Sequence, residues 1–390
     1  MIKYEAGMSV HGWLKCRDFF VVLLSLLMIA GCANNRASTG LGTTAAYVAT
    51  SSSVPFLVAT VRQAADHTNT LYTRARANQL NLSTINVRIP EFHRAGTVET
   101  ASRNPDPRRN FTAFGYKMVP SQSDALRELN ERLESRAPSQ REVFLFVHGY
   151  NNNFAEGLFR NAQIVHDYGI SGVPVHFSWA SASSFARYVY DRDSALIARR
   201  GLSETLEMLA KSKSNGIVLV GHSMGGLVIM EALRTLSLEK RYDILSRISG
   251  VMLAAPDLDP DLFNSQLADI EMLPQPFTII VSRRDRALDI SRRLAGGEPR
   301  IGSGHDIASL QKKNIQVLDI SQVENGSHTL FASSNTLISL LGSGHLLRRM
   351  ITDEYAGLDT TFRSVGQSTF EQASLALHLP VRIVERLGHR

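Results

Sequence analysis

From about residue 55 the chain alternates short apolar, β-rich runs with segments whose apolar residues recur three and four apart. Strands are expected at 55–61, 83–89, 143–147, 173–179, 217–220, 248–254, 277–282 and 315–320. Helices are expected at about 121–136, 156–166 and 224–236. In the first of these helices Ala125, Leu126, Leu129 and Leu133 share one face. The runs at 143–147 and 217–220 are apolar throughout, as strands covered on both faces of a parallel sheet must be. Strands separated by helices imply an α/β fold with a mostly parallel central sheet flanked by helices. Ligands of such sheets bind beyond the carboxyl ends of the strands, so the residues just after each run are where chemistry is expected. Residues 90–110, broken by Pro90, Pro105 and Pro107, read as loop. The tail beyond 347 adds one partly apolar, helix-like stretch at 370–377.

The first 54 residues follow none of these periods. Lys3, Lys15 and Arg17 precede an apolar run at 19–31, too short to span a bilayer, for which about 20 residues are needed, but of secretory-signal length. The run ends Leu27-Met28-Ile29-Ala30-Gly31-Cys32, which resembles the lipobox of bacterial lipoproteins, where the cysteine is acylated and becomes the first mature residue. The expectation is therefore a signal peptide at 1–31, lipidation at Cys32 and a flexible Ala/Ser/Thr/Gly-rich tether at 32–54. The folded domain would cover 55–345, with a C-terminal extension at 346–390. The resemblance implies a lipid-anchored envelope protein; Ala33, in place of Asp, implies the outer membrane facing the periplasm. A simple cleaved signal and an uncleaved membrane helix are the alternatives.

Composition alters this picture little. A net charge of +6 over 390 residues, mixed along the chain, gives no concentrated basic face and no case for nucleic acid. The two cysteines, Cys16 and Cys32, both precede the domain, which must therefore hold together without disulfides. No His-Glu-x-x-His or paired-cysteine motif occurs, so the sequence supports no metal site, and no Gly-x-x-x-x-Gly-Lys loop occurs either. Neither metal nor cofactor is expected in the chemistry.

Gly221-His222-Ser223-Met224-Gly225 matches Gly-x-Ser-x-Gly. The bare pentapeptide arises by chance in roughly one chain in eight of this length, so its setting carries the weight. It lies between the 217–220 strand and the helix from 224, the strand–turn–helix arrangement of a nucleophile elbow. Ser223 is the expected nucleophile. The N–H of Met224, at the helix start, and that of Tyr150, in the His148-Gly149-Tyr150 loop after 143–147, are the expected oxyanion donors. His148 itself reads better as a brace for that loop.

A serine hydroxyl needs a base, and in this architecture acid and histidine follow the serine in that order. His328, after the 315–320 strand, is the first candidate; His305 and the late His345 are the alternatives. Asp285, just after 277–282, is the first candidate acid, with Asp257 as its alternative. Either aspartate could instead cap a helix. Arg187, Arg192, Arg199 and Arg200 read as a solvated helical face, or alternatively as a cap for an acidic substrate.

Phe146-Val147-His148-Gly149-Tyr150-Asn151, Phe177-Ser178-Trp179, the elbow itself, Ala255-Pro256-Asp257 and Ser282-Arg283-Arg284-Asp285 resemble the bacterial α/β-hydrolase family of unknown function called DUF900, over about 55–345. The resemblance implies the α/β-hydrolase fold and a hydrolase-type triad, but no substrate. The expected activity is serine-dependent cleavage of a small-molecule or lipid ester, with amide and thioester as variants. A non-catalytic envelope binding protein and an acyltransferase remain as alternatives.

Overall fold

The computed structural model describes residues 41, 52–66, 70–101, 104–324, 326–341 and 376–378. The signal segment, Cys32, His345 and most of 346–390 lie outside these. Ten strands form one sheet: β1 (Ser53–Ala64), β2 (Tyr72–Arg88), β3 (Thr112–Val119), β4 (Glu142–Val147), β5 (Val173–Ser178), β6 (Gly216–His222), β7 (Ile248–Ala254), β8 (Phe277–Val281), β9 (Gln316–Asp319) and β10 (Ala376–His378). Their order is β10-β9-β8-β7-β6-β4-β5-β1-β2-β3. The pairs from β1·β5 through β8·β9 are parallel, whereas β1·β2, β2·β3 and β9·β10 are antiparallel.

The helices are α1 (Gln122–Glu134), α2 (Phe154–Asp167), α3 (Tyr188–Ala210), α4 (Gly225–Leu238), α5 (Tyr242–Leu245), α6 (Pro260–Asp269), α7 (Arg286–Leu294), α8 (Ile307–Lys312), α9 (Leu330–Ser333) and α10 (Asn335–Leu341). They cover both faces of the sheet. Val143, Leu145 and Val147 of β4 join a core with Leu129 of α1, Leu202 of α3 and Leu233 of α4. Phe144 and Phe146, pointing the other way, join Phe159 of α2, Phe331 of α9 and Leu337 of α10. Successive strand side chains face opposite sides; both sides are dry here, which is why the central strands are apolar at every position.

The register brings the carboxyl ends of the central strands together. Val147 pairs with Gly221, His222 with Ala254, and Ala254 with Ile280. The loops beginning at His148, Ser223, Ala255 and Ser282 therefore emerge side by side along one edge.

The sequence reading needs four corrections. β2 begins about ten residues before the expected strand, because its first half is polar and mostly half-exposed and so has no apolar period. β3 was not expected at all. It is an edge strand interrupted by Gly115 at φ +65°, and a register shift lies opposite, between Thr84 and Asn86. Within the stretch read as helix-like at 370–377, Ala376 and Leu377 are strand, paired to the edge of β9. Leu41, inside the expected tether, is buried and bridges Ala113. Among the described residues no helix is long and apolar enough to cross a membrane.

Candidate active site

Ser223 sits between β6 and α4 with φ +53°. A non-glycine residue held there costs of order 1–3 kcal/mol and persists only where its surroundings enforce it. Here they do. Its N–H donates to Ala254 O at 2.9 Å, and its carbonyl accepts from Gly226 N at 2.9 Å. The motif glycines make the turn sterically possible. A Cβ on Gly225 would lie 2.5 Å from the Val147 carbonyl oxygen, and one on Gly221 would lie 2.6 Å from Ile229 Cδ1. Elbow, strand β4 and helix α4 thus close on one another in a way a side chain at Gly225 would block, since its Cβ would meet backbone.

The His148–Asn153 loop packs against this elbow. A Cβ on Gly149 would stand 2.9 Å from both Ser223 Cβ and His222 Nδ1. His148 is buried beneath the loop, its ring stacked on Trp179 at 5.1 Å. Nδ1 is 2.9 Å from Gly149 O, and Nε2 can accept from Trp179 N at 3.2 Å and Ser178 Oγ at 3.3 Å. Nε2 also lies 3.1 Å from Trp179 O, so both ring nitrogens are engaged with backbone, and burial holds the ring well below its ordinary pKa. The bracing role expected of His148 matches these contacts.

Two further residues hold the loop, and the sequence reading singled out neither. Arg62 of β1, 1% exposed, donates from Nη2 to Asn152 O at 2.8 Å, from Nη1 to Ser181 O at 3.1 Å and from Nε to Ser178 Oγ at 2.9 Å. Asp191 of α3, fully buried, accepts from the N–H groups of Asn151 at 3.3 Å and Ala182 at 2.6 Å. Burial lowers the Arg62 pKa to about 10, opposed by the charge of Asp191. Burial also raises the Asp191 carboxyl. Asn153 then starts α2 with a reciprocal capping box to Glu156. The one available signal was a lone arginine closing an otherwise apolar strand.

Asp285 and His328 meet directly: Asp285 Oδ2 is 2.6 Å from His328 Nδ1. The other carboxylate oxygen caps α7, accepting from Ala287 N at 2.9 Å and Leu288 N at 3.1 Å. The carboxylate is thus fixed by backbone before it meets the imidazole. Gly326, at φ +67°, lets the two loops close, since a Cβ there would lie 2.5 Å from Arg284 Cβ. From the elbow side, His222 Nε2 lies 3.1 Å from His328 O. Burial, with a smaller contribution from His328, keeps His222 well below its ordinary pKa, so the neutral ring donates this bond from Nε2.

Ser223, His328, Tyr150 and Asp257 line one cavity of about 200 Å³. Ser223 and His328 share its wall without a direct hydrogen bond; such contacts are often loose before substrate binds. The remaining wall is largely apolar, with Phe185, Leu288, Ile290 and Leu294. Phe185, Ile290 and Leu294 are 51%, 42% and 53% exposed, so they form an apolar rim. Tyr150 reaches across with its hydroxyl to Phe185 O.

Of the alternative candidates, Asp257 lines the same cavity but has other partners. Asp257 accepts from Tyr188 Oη at 3.1 Å and from Ser291 Oγ, and Arg300 Nε lies 3.3 Å away, an ion pair without hydrogen-bond geometry. Among the described residues no histidine contacts it. His305 is exposed and does not line the cavity. Arg187, Arg192, Arg199 and Arg200 are all exposed, with Arg200 paired to Glu204.

Residues 121–344 match the family described as "Alpha/beta hydrolase of unknown function (DUF900)". The match contains every cavity residue named above but begins after β3, short of the 55–345 suggested by the motifs. No curated protein matches the chain.

Proposed function

The chain belongs to the α/β-hydrolase family of unknown function DUF900, and on that premise we propose that it is a serine hydrolase cleaving carboxylic esters through an acyl-enzyme. Ser223 attacks the carbonyl. His328 takes the serine proton through Nε2 and returns it to the leaving alkoxide. Asp285 orients His328 and stabilises the imidazolium that forms. The N–H groups of Met224 and Tyr150 stabilise the oxyanion; a single such donor is worth about 10²–10³ in kcat. Water then repeats the sequence and releases the acid.

The observation that carries this reading is the 2.6 Å Asp285–His328 contact on the cavity that Ser223 enters in a strained backbone conformation. The apolar wall and rim favour an apolar acyl group. The lipobox-like stretch ending at Cys32 further supports an enzyme tethered by acyl chains to the envelope, where two or more chains give stable attachment.

Labelling with a fluorophosphonate probe tests the activity. The folded wild type should label and Ser223→Ala should not. Equal labelling of the two, or none in folded wild type, sinks the enzyme reading and favours a binding protein on a hydrolase scaffold. Product analysis with a competing alcohol separates hydrolysis from acyl transfer.

A further inference from the structure

Away from the cavity, ionisable side chains from two separate parts of the chain converge on a single carboxylate oxygen. Asp167, at the end of α2, has its Oδ1 2.8 Å from His93 Nε2 and 2.9 Å from His166 Nδ1. His93 comes from the loop after β2. The two rings sit edge to face, 5.3 Å between centroids. One ligand atom from each of the three residues lies within 4.8 Å of the others.

The remaining atoms are held from behind. His93 Nδ1 faces Glu99 Oε2 at 2.8 Å, while Asp167 Oδ2 accepts from Gly96 N at 2.7 Å and Gln163 Nε2 at 2.6 Å. The Asp167 and His93 side chains are 1% and 6% exposed, whereas that of His166 is 39% exposed and leaves the cluster open to solvent on one side.

We propose that His93, His166 and Asp167 form a divalent transition-metal site of the zinc class, with Glu99 as the carboxylate orienting His93. Two imidazoles and a carboxylate suit zinc, whose ligands lie about 2.0–2.2 Å from the ion, and hence roughly 3.3 Å apart in a tetrahedron. The two Asp167–histidine contacts need to open by about half an ångström, and the two ring nitrogens, within 4.8 Å of each other, to close toward the same spacing. The Glu99–His93 contact is the carboxylate–histidine–metal arrangement that fixes tautomer and ring orientation.

The site has a structural consequence. Gln163 Nε2 also donates to Ala332 O at 2.8 Å, and a Cβ on Gly96 would meet Ser333 O at 2.4 Å. The cluster thus backs α9, which begins two residues after His328.

The full chain, stripped with a chelator and titrated calorimetrically with zinc ion, should bind one equivalent. Cobalt(II) in its place should give tetrahedral visible bands. His93→Gln should abolish binding, and Glu99→Gln should weaken it about 10–100-fold. His166→Ala alters an exposed ring and should leave the fold intact while weakening binding at least tenfold. Absence of stoichiometric binding by folded wild type, or unchanged affinity in folded His166→Ala, overturns the proposal. Serine labelling at Ser223 is read separately, so either result stands without the other.

Discussion

Asp285 serves two partners at once: one carboxylate oxygen contacts His328 Nδ1 at 2.6 Å and the other caps helix α7. The two substitutions that remove its charge should therefore behave differently. Asp285→Asn keeps a good capping side chain, so its melting temperature should stay near wild type while kcat falls by roughly 10³–10⁴. Asp285→Ala should lose the same activity and about 1 kcal/mol of stability besides. Paired kinetics and urea unfolding check both.

Asp257 gives the opposing expectation. Asp257→Asn leaves the buried Arg300 with only Asp259, at 4.0 Å, as a carboxylate partner among the described residues. Breaking a buried ion pair on one side costs about 3–5 kcal/mol. The variant should unfold at clearly lower urea while kcat/KM at permissive temperature drops less than about tenfold. A stable protein with kcat as low as that of Ser223→Ala would move the acid role to Asp257.

Gly149→Ala should damage activity more than stability. The added methyl falls 2.9 Å from Ser223 Cβ, so either the His148–Asn153 loop or the elbow must give way. A single misplaced donor costs about 10²–10³ in kcat. We expect a loss of that size, with KM changed less, in steady-state kinetics on a chromogenic ester.

Three buried histidines set an acid limit on stability. His148, His176 and His222 are all at most 8% exposed, and burial lowers their pKa values, that of His176 to about 3. Below the unfolded value near 6.5 the unfolded chain binds protons that the folded chain refuses. Stability is then lost as pH falls from about 6.5 toward the folded pKa values, at about 1.4 kcal/mol per pH unit for each ring. His176→Phe, which keeps an aromatic ring in the slot, should remove one such increment from the slope. Denaturant melts at pH 7, 6 and 5 measure it; an unchanged slope would contradict the assignment.

The proposed anchor is tested at one residue. Cys32→Ser, expressed in a bacterial host that processes lipoproteins, should move the protein from the membrane fraction to the soluble periplasm and remove the acyl mass from the mature N-terminus. Wild type found soluble with an unmodified Cys32 would end the lipoprotein reading.

The sequence by itself determined whatever rests on local chemistry. The strands β4 to β9 are legible because strands dry on both faces must be apolar throughout. Ser223 is legible because an elbow needs small residues between a strand and a helix. His148, Asp257 and Asp285 become candidates because each stands just beyond a strand end, where open α/β sheets put their ligands, and His328 because it lies in the loop beyond β9. Tertiary structure decided what depends on partners remote in the chain. Asp285 rather than Asp257 contacts the imidazole because the chain turns at Gly326 and brings residue 328 onto residue 285. Arg62 and Asp191 hold the His148–Asn153 loop, yet each reads in sequence as a single charge in a strand or helix; only burial beside Asn151 and Asn152 gives that charge a task. His93 and Asp167 are 74 positions apart and match no ligand spacing. Their meeting depends on how the loop after β2 lies across the end of α2, which no periodicity of the sequence encodes.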